Sequence, residues 1–317
     1  MSDNRVYSYS AVLMGSPILL KLCSHDEAMA SRVFQLIKRY EDLLTVNRAE
    51  SQVMDINHAA GRHPVTVSRP VFQLIQCAKA ASMVRDSAFN LAIGPLVKLW
   101  RIGFHGHSVV PDAADIRARL ALTRPQEVIL DEATCSVFLQ QPGMELDLGA
   151  IAKGYIADRV RDYLRQQQVE KALINLGGNV HTLGEWAIGL KKPFADAQAL
   201  IGSLTVNGQS VVTSGTYERY FEQDGKSWHH ILDPRSGYPL DNELDSVTVI
   251  SADSLDGDIW TTLLFGLGVE KGCAALRQRQ DIDAIFVTKN RDIILSSPQR
   301  LRFAPLDSGY RVIDCTA

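Results

Sequence analysis

Short β-forming runs separated by tight-turn residues constrain this chain more than any other feature. In Leu204-Thr205-Val206-Asn207-Gly208-Gln209-Ser210-Val211-Val212, Asn-Gly sits between two runs rich in β-branched residues. Asn-Gly readily adopts the two positive φ angles of a type I′ turn, so this stretch predicts a hairpin. Asp224-Gly225 joins residues 217–221 to 228–232 in the same manner. Residues 128–130 and 137–139 flank Asp131-Glu132-Ala133-Thr134, and residues 285–288 and 293–296 make a further pair near the end. Residues 9–23 read as extended, with a turn near Gly15-Ser16-Pro17. Only one or two strand–helix units are visible. The expected class is therefore α+β, with largely antiparallel sheets and flanking helices, rather than a doubly wound parallel fold.

Helical periodicity fills the gaps. Ser24 with Glu27 reads as a capping box opening a helix whose apolar face carries Val33, Leu36, Ile37, Tyr40, Leu43 and Leu44. A polar loop at 45–51 follows, and Ser68 is expected to cap a helix with Val71, Leu74, Ile75, Ala78 and Ser82 along one stripe. Asp112 starts a short helix. Glu145-Leu146-Asp147-Leu148-Gly149 reads as a strand running into a turn, followed by a helix over 150–167. Residues 172–176 form a buried strand ending in Gly177-Gly178, and 247–250 form another. Helical segments are expected at 253–267 and 269–279, with Gly266 and Gly268 at the junction. No repeat or linker divides the 317 residues, which read as one continuous domain of two lobes.

Composition excludes several classes. Apolar residues make up 46% and charged residues 22%, as in ordinary globular proteins and unlike disordered or fibrous ones. Lys plus Arg number 33 against 36 Asp plus Glu, so no basic excess points to nucleic acid. The cysteines Cys23, Cys77, Cys135, Cys273 and Cys315 stand singly and read as free thiols of a reducing compartment. The N-terminus lacks the pattern of a secretion signal, and no stretch is read as reaching the ~18 apolar residues of a membrane span. A cytoplasmic location with no membrane partner is expected. Walker A, His-Glu-x-x-His and Gly-x-Ser-x-Gly motifs are absent. His105 and His107, beside Gly103 and Gly106, read as a polar loop rather than a chelating pair.

Four clusters carry chemistry. The stretch 147–155 delivers the carboxylate of Asp147, opens a helix and places Lys153 one turn in. Helix starts attract anions, and a lysine there meets a phosphate as a point charge; a plain cap with a surface lysine has the same pattern. Residues 228–239 end a strand in a Pro/Gly-rich loop bearing His229, His230, Asp233 and Arg235, which is either a functional loop or an ordinary turn. Asp258 and Thr262 share a helix face four residues apart, offering hard oxygens of the kind Mg²⁺ accepts. Thr213-Ser214-Gly215-Thr216-Tyr217 is a small-residue turn that lets backbone approach something closely.

Together these clusters resemble the ApbE-type FAD:protein FMN transferase family over residues 14–306. The carriers are Asp147-Leu148-Gly149-Ala150-Ile151-Ala152-Lys153-Gly154-Tyr155, Thr213-Ser214-Gly215-x-Tyr217 and His230-Ile231-Leu232-Asp233-Pro234-Arg235-Ser236-Gly237. Asn175-Leu176-Gly177-Gly178-Asn179 and Gly94-Pro95-Leu96-Val97-x-x-Trp100 add to them. The resemblance implies two lobes around a flavin-nucleotide cleft. It implies Mg²⁺-dependent cleavage of FAD, transfer of FMN to a threonine or serine hydroxyl of an acceptor flavoprotein, and release of AMP. Met14, Asn47, Ala88, Phe89, Asn90, Asp147, Lys153 and Leu232 would line the FAD site. The backbone carbonyl of Ala150, the carboxylate of Asp258 and the hydroxyl of Thr262 would hold Mg²⁺, with Thr261 at another position some members use.

The residues themselves agree with such chemistry. A pyrophosphate needs charge neutralised on both phosphates as its bridge lengthens, which a metal and Lys153 supply. A threonine hydroxyl needs a base; His230 is the first candidate and Asp233 the second. Two positions depart from the family. Asn90 stands where aspartate is common, and Asn47 where an aromatic residue is common. Asn47 gives up ring stacking and keeps open an FAD pyrophosphatase that uses water as acceptor. A non-catalytic flavin-binding module is the third alternative. The acceptor motif of family substrates does not occur in this chain, so another protein, a cytoplasmic one, is the expected acceptor.

Overall fold

The computed structural model describes residues 5–104 and 109–315, so His105 and His107 lie outside the described residues. The chain divides into two compact units. The first comprises residues 1–41, 152–215 and 243–317, and the second residues 42–151 and 216–242.

The first unit is built on a nine-stranded sheet. In spatial order its strands are Tyr7–Leu13, Ser16–Leu22, Ala172–Leu176, Asn179–Leu183, Ser210–Gly215, Leu244–Ser251, Asp283–Thr288, Asp292–Leu295 and Arg311–Asp314. Neighbours are antiparallel except for the last pair. The expected α+β class with mainly antiparallel sheets is therefore correct. The first hairpin turns at Met14-Gly15, where both residues have positive φ, while Ser16 and Pro17 already belong to the strand. Central strands are buried on both faces, all five residues of Asn179–Leu183 among them. One face lies under the helix Ser254–Leu276. The other meets a three-stranded sheet of Glu185–Lys191, Leu200–Asn207 and Arg302–Pro305, through Val180, Val211, Ile250 and Ile285 against Ile188, Ile201, Leu204 and Val206.

That sheet corrects the opening expectation. Leu200–Asn207 and Ser210–Gly215 do not pair with each other; Asn207-Gly208 hands the chain from the small sheet to the large one. Gly208 donates its N–H to the carbonyl of Gly184, and Gln209 exchanges bonds with Thr182. Burying Ile201, Leu204 and Val206 between sheets is worth about 1.5–3 kcal/mol each, more than a two-residue turn preference. Asp224-Gly225 does make its hairpin, joining Tyr220–Gln223 to Lys226–His229 with φ of 53° and 73°.

Other boundaries shift for local reasons. The first long helix, Glu27–Leu44, is capped by Asp26 rather than Ser24, because the Asp26 carboxylate accepts the N–H of Met29 at 2.7 Å. An unexpected helix, Gln52–His58, starts at Ser51, whose hydroxyl accepts the N–H of Met54. Ser68 precedes the helix Arg69–Ser82 but spends its hydroxyl on Gln52 instead of capping. The predicted strand at 145–148 is extended chain outside any sheet. Leu146 exchanges two hydrogen bonds with the side chain of Asn57, and Asp147 donates its N–H to the carbonyl of Leu91, so no ladder partner is needed. Ser254–Leu276 breaks at Gly268, as the two-segment pattern predicts; its φ is 75° and Glu243 accepts the N–H of Val269.

Two composition readings also change. Ser254–Leu276 is long and apolar enough to cross a membrane by length and composition, contrary to the expectation that no stretch qualifies. Here it lies on the sheet with Leu263, Leu264 and Phe265 buried, as a core helix does. Cys273 and Cys315 are disulfide-bonded, with Cα atoms 6.0 Å apart, so these two are not the free thiols expected. Strand Arg311–Asp314, unforeseen in the sequence, brings Cys315 to that helix.

Candidate functional site

In the first unit the helices Gly149–Gln166 and Ser254–Leu276 meet at Gly154. A Cβ on Gly154 would lie 2.3 Å from the carbonyl oxygen of Ser254 and 2.7 Å from Oδ2 of Asp258, so only glycine permits this approach. The Gly154 N–H donates to Asp258 Oδ2 at 2.5 Å, and Asn179 Nδ2 donates to Oδ1 at 2.9 Å. Burial pushes the Asp258 carboxyl up to about 7; Asn179, Gly154 and the nearby Lys153 charge pull the other way. Thr262 lies one turn along, half-buried, while Thr261 is fully buried; both hydroxyls reach back to the Asp258 carbonyl. Lys153 donates to Ser16 Oγ at 3.2 Å, and its ammonium rests against Gly177, where a Cβ would be 2.9 Å away. Ser16 follows the turn that contains Met14. The first unit thus gathers Lys153, Asp258, Thr262 and the Met14 turn.

Behind them lies a buried polar chain that sequence reasoning missed. The Asp158 carboxylate accepts the N–H groups of Ser254 and Leu255, capping the helix that carries Asp258. His181 Nδ1 lies 2.9 Å from the Ser254 hydroxyl. Burial, then the Arg161 charge, lowers His181 to about 3, so it is neutral at pH 7. Burial raises Asp158 to about 6. Asn179 Oδ1 and His181 Nε2 are buried without a hydrogen-bond partner. Asn179 was visible only as the end of a Gly-Gly-Asn stretch, and nothing local to it pointed to Asp258, 79 residues away.

The second unit holds a cleft of about 190 Å³, lined in part by Asn47, Lys98, Arg101, Phe104, Glu145 and Asp147. Lys98 pairs with Glu145. Asp147 accepts the N–H of Gly149 at 2.7 Å. Burial raises its carboxyl, opposed by that bond and by the charges of Arg219 and Lys98. Ala150, exposed in the first helical turn, belongs to this unit, so the expected metal set is divided between units. Ala88 and Phe89 are buried and can offer a ligand little but backbone. Asn90 is occupied, donating to the Thr123 carbonyl and accepting from the Ala92 N–H. Leu232 is packed with Leu96, Trp100 and Phe221. None of these four lines the cleft.

The two histidines separate as strand alternation requires. His229 is buried, its Nε2 2.7 Å from the Leu240 carbonyl and its Nδ1 accepting the Ile231 N–H. His230 is half-buried, with Nδ1 3.2 Å from the Arg219 carbonyl. A carbonyl accepts only, so in a neutral His230 the proton sits on Nδ1 and the lone pair on Nε2. Asp233 is held by Arg235, which donates from its backbone N–H and guanidinium.

Among the described residues no group of three His, Cys, Asp or Glu side chains could hold a metal. A set of one carboxylate, one hydroxyl and one carbonyl is a different kind of site, all hard oxygen, which suits Mg²⁺ that keeps water or phosphate as its remaining ligands. The unpartnered Asn179 Oδ1 beside Asp258 fits a polar occupant nearby.

Fold and side chains together define an α+β protein with an ammonium, a buried carboxylate and a hydroxyl gathered where two helices cross, a set suited to a phosphorylated ligand. The chain belongs to the ApbE family, whose model matches residues 14–286. It is 96% identical over 317 residues, all of both chains, to the FAD:protein FMN transferase of Klebsiella pneumoniae (strain 342). It is 35% identical to that of Treponema pallidum (strain Nichols), over 96% of this chain and 91% of the other. The crystal structure of the ApbE protein of Thermotoga maritima superposes with TM-score 0.81 at 29% identity, covering 90% of this chain and 95% of that one. Flavin transferase ApbE from Vibrio cholerae gives 0.80 at 25% identity, covering 96% and 98%.

Proposed function

We propose that this chain transfers FMN from FAD to a threonine or serine hydroxyl of an acceptor flavoprotein, with Mg²⁺, releasing AMP. The observation that carries this reading is the Asp258 carboxylate: buried, fixed at both oxygens by N–H donors, one turn from Thr262 and beside Lys153. The names of the relatives support it.

Asp258, Thr262 and the carbonyl of Ala150 are the residues that would hold the metal. The N–H that Gly154 gives to Asp258 is the one a regular helix aims at the Ala150 carbonyl. Bound there, Mg²⁺ supplies positive charge to the pyrophosphate oxygens. Lys153 neutralises a phosphate as negative charge shifts to the leaving group. The acceptor oxygen attacks the phosphorus of the FMN half and forms the new ester. The bond from that phosphorus to the bridging oxygen breaks, and AMP departs with the bridging oxygen. The hydroxyl proton passes to His230 Nε2. Asp233, neutralised by Arg235, is the weaker candidate for that proton.

A second reading, hydrolysis of FAD to FMN and AMP, is favoured by one observation: Asn47 puts an amide in the cleft wall. Incubation with FAD, Mg²⁺ and a threonine-bearing acceptor peptide separates the readings. A peptide heavier by FMN is the expected result. Free FMN with unmodified peptide moves the assignment to hydrolysis, and absence of AMP release overturns both.

A further inference from the structure

We infer that Phe104 is a specificity-determining residue, whose ring stacks on a flat heteroaromatic ring of FAD in the second unit's cleft; the inference rests on the proposed FAD chemistry. Among the described residues lining that cleft, Phe104 alone is aromatic. A single exposed phenyl says nothing by itself. Here the exposure is built. Phe104 is 43% exposed, yet the residues leading into it are anchored. Trp100 and Ile102 are buried in one apolar cluster. Arg101 takes the left-handed conformation, φ 50°, and donates its N–H to the Val97 carbonyl, ending the helix Gly94–Trp100. Phe104 then donates its N–H to the Arg101 carbonyl at 3.1 Å. The chain is bent so that residue 102 points into the core and residue 104 lines the cleft.

Gly103 completes the arrangement. Its φ is 85°, and a Cβ there would lie 2.6 Å from Cδ of Arg219. The Arg219 charge acts on Asp147, which lines the same cleft. The turn that presents the phenyl ring therefore also gives passage to a cation near the cleft carboxylate. Lys98, paired with Glu145, and Arg101 stand in the same wall. A phenyl face beside apolar Val97 suits a fused ring. Asn47 offers this ring no aromatic face, so among the described residues lining the cleft Phe104 is the one that can stack.

Titration of FAD against the protein, read by flavin fluorescence, tests this. F104A is expected to weaken FAD binding about five- to tenfold, F104Y to stay within about twofold, and F104L, apolar but without a π face, to fall with F104A. Competition by FMN and by AMP identifies the ring, because the loss appears in the arm carrying the stacked heterocycle. Thermal unfolding of each variant verifies folding, which an exposed side chain should not alter. If F104A or F104L binds FAD within about twofold of wild type, the inference fails while the proposed function stands. If wild type binds no FAD, both fall.

Discussion

Asn179 and Asp258, 79 residues apart in sequence, are joined by a 2.9 Å hydrogen bond from amide Nδ2 to carboxylate Oδ1. Both residues are buried. The bond fixes the rotation of a carboxylate that solvent cannot orient. Under the proposed function that orientation sets the metal site. Replacing Asn179 by alanine should weaken Mg²⁺ binding by about 10- to 100-fold, the usual cost of losing an orienting partner. Calorimetric titration of Mg²⁺ checks this without reference to turnover. Equal affinity in the two proteins would show that Gly154 alone suffices.

Gly154→Ala should destabilise the first unit. The added methyl has nowhere to go between the Ser254 carbonyl and Asp258, since both contacts fall below 3.0 Å and one is backbone. Overpacking of this kind costs typically about 1–3 kcal/mol, and the helix crossing leaves little room to relax. Denaturant unfolding should show a lower midpoint with an unchanged slope. A midpoint equal to wild type would mean that the two helices slide apart at no cost.

His181 should make stability fall on acidification. Its folded value of about 3 lies below the ordinary 6.5, so between those limits the unfolded chain binds a proton that the folded chain refuses. Stability is thus retained above about 6.5 and lost as pH falls toward 3, by roughly 1.4 kcal/mol per unit at most. Asp158, raised to about 6, and Asp258, raised to about 7, act with opposite sign above their unfolded value. The informative quantity is therefore the difference between wild type and His181→Asn. Urea unfolding at pH 5 and pH 7.5 in EDTA should show a smaller acid-side loss in the variant. Parallel curves would mean that His181 takes up its proton as readily in the folded chain as in the unfolded one.

Much of this was legible in the chain itself, for reasons that differ by residue. Asp258 and Thr262 could be paired because helical spacing alone places them on one face. Lys153 could be placed at a helix start. Asp224-Gly225 could be read as a hairpin because its local turn chemistry decides the outcome. Asn207-Gly208 could not, because inter-sheet burial of Ile201, Leu204 and Val206 overrides the turn. The strand expected at 145–148 failed because a side chain, Asn57, satisfies the backbone instead of a neighbouring strand. Asn179, Asp158 and His181 escaped notice because their partners lie 73 to 97 residues away. The Cys273–Cys315 bond depends on a C-terminal strand with no turn signal to announce it.

His230→Ala should lower the transfer rate far more than it weakens FAD binding. In the neutral imidazole the Arg219 carbonyl favours the proton on Nδ1 and leaves the lone pair on Nε2, the form a base requires. Loss of a general base typically costs about 10²- to 10⁴-fold in rate. Asp233→Asn should cost less, because Arg235 already neutralises that carboxylate. Single-turnover transfer to an acceptor peptide, with FAD saturating, isolates the chemical step. A variant that keeps the rate would move the base elsewhere, and Asp233 would be the next residue to replace.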